Sequence, residues 1–380
     1  METRKPRKGK GVPRETPAEN SIADLQLALE RHFPQQSWEG LRGRLEERGF
    51  FDAGMQQQVR IMAETATDML ETQEEKSDLV AALSASPAEK IRGVAAFIVP
   101  LVHPISVDRQ LEVLCVTGAL DGTWPRELSA TILHNLLIKH GVEALLPRLG
   151  NWIEDSEPAV RRMVVEALRP RGVMLAHISE LKLDPSSLKD LLERLLEDPS
   201  EYVRKAVANN INDVSKDNPN AVLAWAAEWM THDASESRLW IISRGLRTLV
   251  SDGHPAALKT LGYTPASDLH VRWTETTPAE VVINQLIPFE FEVSNPSASE
   301  ATVILLLLME GPGKGKARRR SKYQIWGGRI GAGSSKSVSK RIHFVDKSRQ
   351  SKLAGTYELT VTVNGQVLDR RSMVFQRGAE

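Results

Sequence analysis

The sequence predicts two folded units of different class, an α-helical solenoid followed by a β-sandwich, and three observations predict them. Apolar residues recur at three- and four-residue spacing from about residue 20 to 262, beyond Pro265 the period becomes two, and part of the helical stretch repeats itself 43 residues later. A length of 380 residues, above the usual size of one domain, agrees with that division. The expected boundaries are a basic disordered tail at 1–18, a helical region at 19–264 and a sandwich at 268–378.

The helical region opens with Leu25, Leu27 and Leu29 and continues with short polar breaks and no convincing strand pair. Its repeat is explicit: residues 154–169 read EDSEPAVRRMVVEALR and residues 197–212 read EDPSEYVRKAVANNIN, so Asp155 matches Asp198 and Arg161 matches Arg204. A period of about 40–47 residues marks HEAT or armadillo arrays, in which a helix pair buries its apolar face only by stacking on the next. A HEAT-like α-solenoid is therefore expected. The Asp-Ser and Asp-Pro pairs before each V-R-[RK] are helix starts, because their side-chain oxygens accept the orphan amides of a first turn. His254–Tyr263 reads as the closing helix, with Gly262 suited to its C-terminal turn.

Beyond Pro265, six or seven β-branched and aromatic runs separated by Gly, Pro, Asn and Ser suggest an immunoglobulin-like sandwich, and Asn364-Gly365 is a hairpin signal. GAGSSKS reads as a turn between strands. The segment GPGKGKARRRSKYQIW, with Lys314, Lys316, Arg318, Arg319, Arg320 and Lys322, reads as a mobile basic hairpin or loop. A phosphate-binding loop and a loop kept soluble by its charge fit these residues equally.

The formal net charge is zero but unevenly spread: residues 1–16 carry six Lys or Arg against two Glu, 271–380 carry 17 against 10, and 17–270 carry 26 against 37. Whole-chain charge is therefore silent on a polyanionic partner, and a nucleic-acid interface has to rest on local faces. Cys115 is the only cysteine, so neither a disulfide nor a cysteine metal site is expected, and it reads as a buried structural thiol. His134, His140 and His254 are scattered without HExxH spacing, and no metal or cofactor is expected. Without a signal-like stretch or an apolar run long enough to span a bilayer, the expectation is a soluble cytoplasmic protein.

The helix of residues 198–219 has two faces. Val203, Val207 and Ile211 form an apolar stripe, while Lys205, Asn209, Asn212, Asp213 and Lys216 form a charged, amide-rich one that reads as a working surface. Superposing the repeats sets Lys205 over Arg162, Asn209 over Glu166, Asn212 over Arg169 and Asp213 over Pro170. Two carboxylates, Glu166 and Asp213, thereby fall among Arg162, Arg169, Arg171, Lys205 and Lys216, with Arg244 and Arg247 extending the cationic track. Such a face suits a polyanion that carries a local positive charge. Glu166 also fits a plain intrahelical ion pair with Arg162 and Arg169, and Asn209-Asn210 also fits a ladder between repeats.

The segments RRMVVEALRPR, DPSEYVRKAVANNINDVSKDNP, WIISRGLRTLV and HPAALKTLGY, in this order, resemble the AlkC branch of the AlkC/AlkD superfamily of alkylpurine DNA glycosylases, HEAT-like proteins of which some carry a C-terminal immunoglobulin-like domain. The resemblance implies DNA alkylation repair by a monomer in the bacterial cytoplasm, associated with the nucleoid. It implies excision of cationic purines such as 3-methyladenine from duplex DNA without base flipping. It assigns Glu166 and Asp213 to stabilising the oxocarbenium-like sugar and positioning water. Arg169, Arg171, Arg204, Lys205, Asn210, Lys216, Arg244 and Arg247 would then contact phosphates. The chain departs from the family at Met174, where a tryptophan is expected, and at Thr131, where a further carboxylate is expected. A lesion-recognising DNA-binding protein without hydrolysis and a HEAT scaffold for protein partners are the alternatives.

Overall fold

The computed structural model describes residues 17–102, 106–172, 175–230, 233–274, 279–282, 285–313, 318–343 and 353–376. Of the expected disordered tail, residues 1–16 lie outside these, and helix starts at Pro17, inside the expected boundary. Two compact units meet at Val214/Ser215, within the region expected to be one solenoid.

The first unit is helical: α1 (Pro17–His32), α2 (Leu41–Glu47), α3 (Met55–Asp68), α4 (Gln73–Ser84), α5 (Glu89–Val102), α6 (Val107–Ala119), α7 (Thr123–His140), α8 (Val142–Trp152), α9 (Pro158–Ala167), α10 (Ser179–Leu183), α11 (Lys189–Arg194) and α12 (Glu201–Val214). Its centre is α5, whose Ile91, Val94, Ala95, Ile98 and Val99 are all buried, an apolar surface too wide for a helix facing water. Gly93 on α5 lets the start of α7 pack against it. A Cβ there would lie 2.8 Å from Leu128 and 3.1 Å from Trp124. Cys115 on α6 is half-buried rather than buried, and burial raises its thiol pKa, with the nearby Asp155 adding to the effect.

The repeat read from the sequence is reproduced atom by atom. Asp155 Oδ1 accepts from the Glu157 amide and Asp198 Oδ1 from the Ser200 amide, each at 2.8 Å. Arg161 Nη1 donates to the Asp155 and Ser156 carbonyls at 2.7 and 3.2 Å, and Arg204 Nη1 donates to those of Asp198 and Pro199 at 2.7 and 3.0 Å. Arg161 has a second role, gripping Asp198 of the next repeat in a two-pronged ion pair at 2.7 and 2.9 Å. Asn210 likewise ties the repeats, its Nδ2 donating to the Val165 carbonyl at 2.9 Å.

The second unit begins with α13 (Pro219–Trp229), α14 (Glu236–Gly245), α15 (Arg247–Ser251) and α16 (Pro255–Thr260). Gly262, at φ 71°, follows the last of these as expected. Among the described residues eight strands follow: β1 (His270–Trp273), β2 (Glu280–Val282), β3 (Leu286–Ser294), β4 (Ala301–Pro312), β5 (Arg318–Ile330), β6 (Ser335–His343), β7 (Gly355–Val363) and β8 (Gln366–Gln376). They form one sheet in the order β1-β3-β6 and another in the order β2-β8-β7-β4-β5, antiparallel throughout except for the β2–β8 pair. Phe289, Phe291, Leu305, Leu307, Val361 and Phe375 lie in the core between them. Asn364 and Gly365, at φ 42° and 84°, make the β7–β8 turn, as their residue types predict. The turn within GAGSSKS links β5 to β6 and is over by Ser335.

Of the two readings of the basic segment, hairpin and loop, the described residues follow the first. Lys314 and Lys316 lie outside the described residues, while Arg318, Arg319, Arg320 and Lys322 sit on an edge strand paired along the length of β4 with one shift of register at Leu305/Leu306. Two causes are visible. Glu310 on β4 accepts from Arg318 and Arg320 across the pair at 2.9 and 2.6 Å, and Tyr323, Ile325 and Trp326 supply apolar contact with the core. Among the described residues, no helix is long and apolar enough to cross a membrane.

Removing one member of a buried ion pair strands the other, whereas exposed pairs contribute little. Arg161→Ala should therefore lower stability in urea unfolding by about 3–5 kcal/mol. Lys205→Ala, which breaks the exposed pair with Glu201, should change it by less than about 0.5 kcal/mol.

Candidate functional site

Helix α9 starts with Pro158 in its first turn and the Glu157 side chain accepting from the Ala159 amide, a preorganised N-terminus. Its phase sets Arg162 and Glu166 one turn apart, with Arg169 just beyond the helix end on the same side. Glu166 is held from both sides. Arg162 Nη2 reaches Oε1 at 3.0 Å and Arg169 Nη1 reaches Oε2 at 2.9 Å. Arg169 also turns Nε and Nη2 onto Asp213 Oδ2 of α12 at 2.7 and 2.6 Å. Burial alone would lower the pKa of Arg169, but Glu166 and Asp213 outweigh it and hold the guanidinium above its usual value.

Arg162 is fixed as firmly. Its Nη1 donates to the Tyr202 carbonyl at 2.8 Å, and its guanidinium carbon sits 4.1 Å from the Tyr202 ring centre, a cation–π contact. Arg126 approaches the same ring at 5.8 Å. Behind α9, the two ring nitrogens of buried His134 lie 2.7 and 2.8 Å from the carbonyl oxygens of Ala167 and Ala176, pinning both sides of the stretch that carries Arg169 and Arg171.

These side chains border a cleft of about 650 Å³. One wall is α9 with Arg162, Glu166 and Arg169, joined by Asn209 of α12. The neighbouring helix α7 adds Trp124, Glu127 and Thr131, and α3 adds Met55, Gln56 and Gln57.

The fold thus gathers Arg162, Glu166, Arg169 and Asn209, with Asp213 behind Arg169 and Thr131 on the neighbouring α7 in the same lining. The burial of α12 corrects part of its expected polar stripe. Asn210, Asn212 and Asp213 are 0%, 2% and 2% exposed, so the working stripe of α12 turns inward over its second half. Neither amide can meet a phosphate there, and Asp213 acts on the cleft through Arg169. Arg204 closes its own repeat turn, and Lys205 is exposed beside Glu201, away from the cleft lining. Arg171 is half-buried and does not line the cleft either. Lys216, Arg244 and Arg247 belong to the second unit: Lys216 is exposed, Arg244 lies over Trp240, and Arg247 donates to the Arg244 carbonyl. Met174 lies outside the described residues.

Sequence reasoning missed Glu127 and Tyr202. Glu127 stood one turn before Thr131 and was readable from that spacing. Tyr202 had no such signal, because its role depends on the seam between two helices distant in sequence.

The fold class is that of a HEAT-repeat protein with a C-terminal immunoglobulin-like domain. Residues 124–212 and 146–247 match a model of HEAT repeats, and residues 270–377 match one described as "Uncharacterised protein YhaZ, C-terminal Ig-like domain". The fold is of the AlkC type: alkylpurine DNA glycosylase AlkC from Pseudomonas fluorescens, solved bound to DNA containing an abasic site analogue, superposes with a TM-score of 0.82 over 93% of this chain and 98% of that one, at 19% identity. YhaZ of Bacillus subtilis (strain 168), itself uncharacterised, is 32% identical over 235 residues, a match covering 62% of this chain and 64% of that relative's length.

Because Arg169 and Asp213 share one buried contact, their truncations should not add. A double-mutant cycle of Arg169→Ala and Asp213→Ala in urea unfolding should give a coupling of about 1–3 kcal/mol, and additive losses would contradict the bridge.

Proposed function

We propose that the protein acts in DNA alkylation repair, binding duplex DNA and hydrolysing the N-glycosidic bond of cationic purines such as 3-methyladenine without turning the base out of the helix. The observation that carries this reading is the Arg162–Glu166–Arg169–Asp213 bridge bordering an open cleft in a fold of the AlkC type. The neighbour of that fold was solved with DNA containing an abasic site analogue, which supports DNA as the partner.

In this chemistry the C1′–N bond breaks with its electron pair passing to the base, whose positive charge is thereby cancelled. The sugar becomes oxocarbenium-like, and water adds its oxygen to C1′ as a proton departs. A cationic base leaves readily, so the protein's part is electrostatic: Glu166 is the carboxylate assigned to the developing positive charge, and Asp213 holds Arg169 against Glu166. Asp213 is thus a positioning residue. Neither metal nor cofactor is needed for these steps.

One observation favours a second reading, lesion recognition without hydrolysis. Glu166 and Asp213 are both held by guanidinium groups, and Thr131 donates its hydroxyl to the Glu127 carbonyl at 3.0 Å where the resemblance expects a carboxylate.

Incubation of the full chain with methylated duplex DNA, followed by chromatography of the freed bases, separates the two. Excision predicts release of 3-methyladenine. Glu166→Gln should reduce that release about 100-fold while duplex affinity changes by less than about threefold, and equal losses of both would contradict a catalytic role. Duplex affinity of the wild-type chain should fall linearly with log salt as counterions are released. Salt-independent or absent binding would instead favour a scaffold for protein partners.

A further inference from the structure

His134 stands on α7, buried, with an acceptor at each ring nitrogen. Nδ1 lies 2.7 Å from the Ala167 carbonyl oxygen and Nε2 2.8 Å from that of Ala176. A carbonyl oxygen only accepts, so each contact is a hydrogen bond only where the nitrogen facing it carries a proton. A neutral imidazole has one N–H and one lone pair. In either tautomer that lone pair would face a carbonyl oxygen at hydrogen-bond distance and leave it unsatisfied. The imidazolium, which donates from both nitrogens, meets both contacts.

The surroundings suit the charge. Ala167 is the last residue of α9, and the carbonyls at a helix C-terminus carry negative partial charge. Bonds from a charged donor are roughly twice as strong as neutral ones. Gly172 lets the chain approach, since a Cβ there would lie 3.2 Å from His134 Cε1. Among the described residues no carboxylate pairs with the ring. Around it, Glu166 and Arg169 bind each other and Arg161 binds Asp198. Arg171 is half-buried, His177 is exposed beside Lys182, and Glu180 accepts from the Val142 amide. The charged side chains of α6 and α8 are exposed, while Glu89, Lys90 and Arg92 of α5 reach the Trp124 amide, Gln58 and the Asp121 carbonyl.

We infer that His134 is a positioning residue of the site, held as an imidazolium whose two N–H groups fasten the chain that carries Arg169, and that this hold loosens as the ring gives up a proton. Losing one proton releases one of the two carbonyls, so the chain that sets Arg169 between Glu166 and Asp213 is held by the ring at one end instead of two. The folded state favours the doubly protonated ring, so its stabilisation is present at low pH and is lost as pH rises. The consequence for base release rests on the excision reading above; the protonation and the hold on the chain do not.

NMR of the isotope-labelled full chain reads the ring directly, with His134→Gln identifying the signals by their loss. At about pH 5.5 both His134 nitrogens should show bonded protons, and by about pH 8.5 one should be gone. The Ile178 amide, which donates to the Pro170 carbonyl at 3.1 Å, reports on the chain by hydrogen exchange. Glutamine can donate to one carbonyl only, so at the lower pH this amide should exchange at least about tenfold more slowly in the wild type than in His134→Gln. At the higher pH the ratio should shrink below about threefold. Should the variant not fold, the ring signals are assigned through bonds in the wild type and their pH series decides. A single ring N–H at the lower pH, or an amide ratio equal at both, overturns the inference. Release of 3-methyladenine from methylated duplex should fall with rising pH at least about threefold more in the wild type than in His134→Gln. If ring and amide behave as stated while no base is released at either pH, the excision reading fails and the hold of His134 on the chain stands. If both proteins release base with one pH profile, excision stands and the positioning role fails.

Discussion

The site depends on one half-buried guanidinium. Arg169 joins the end of α9 to the inner side of α12 by meeting Glu166 and Asp213 at once. Burying one arginine beside one carboxylate would scarcely compensate for lost hydration, but two carboxylates around it keep the charge in place. Everything bordering the cleft follows. Glu166 cannot swing away, Arg162 is pressed onto Tyr202, and Asn209 is carried to the rim by the same helix that buries Asp213.

The same architecture explains why similar residues in successive repeats do different work. Arg161 and Arg204 occupy equivalent positions and make the same contacts to their own preceding turns, yet Arg161 also binds Asp198 of the following repeat. A repeat protein reuses its local hydrogen bonds and varies what lies across the seam. Asn210 takes the ladder role between repeats that its sequence position also allowed: its polar side chain is buried and satisfies a backbone carbonyl that stacking hides from water.

The sandwich teaches the complementary lesson. Six strands were legible because alternation and turn residues mark them, and Asn364-Gly365 behaves as its residue types require. Strand β5 was legible only as a hairpin or a loop, because consecutive arginines fit both. What makes it a strand is Glu310 on its neighbour, together with aromatic residues that reach the core from the same segment.

By itself the sequence determined the order of helical and β regions, the 43-residue repeat, the apolar stripe of Val203, Val207 and Ile211, and the grouping of Arg162, Glu166 and Arg169. All of these are local periodicities or spacings along one element. Only the tertiary structure decided that Asp213 turns inward to Arg169, that Asn210 and Asn212 are covered, and that Glu127 and Trp124 line the same cleft as Glu166. Those outcomes depend on which helices stack and at what phase. That phase is set by many apolar contacts and by close approaches such as Gly93 against α7, none of which is encoded within a single helix.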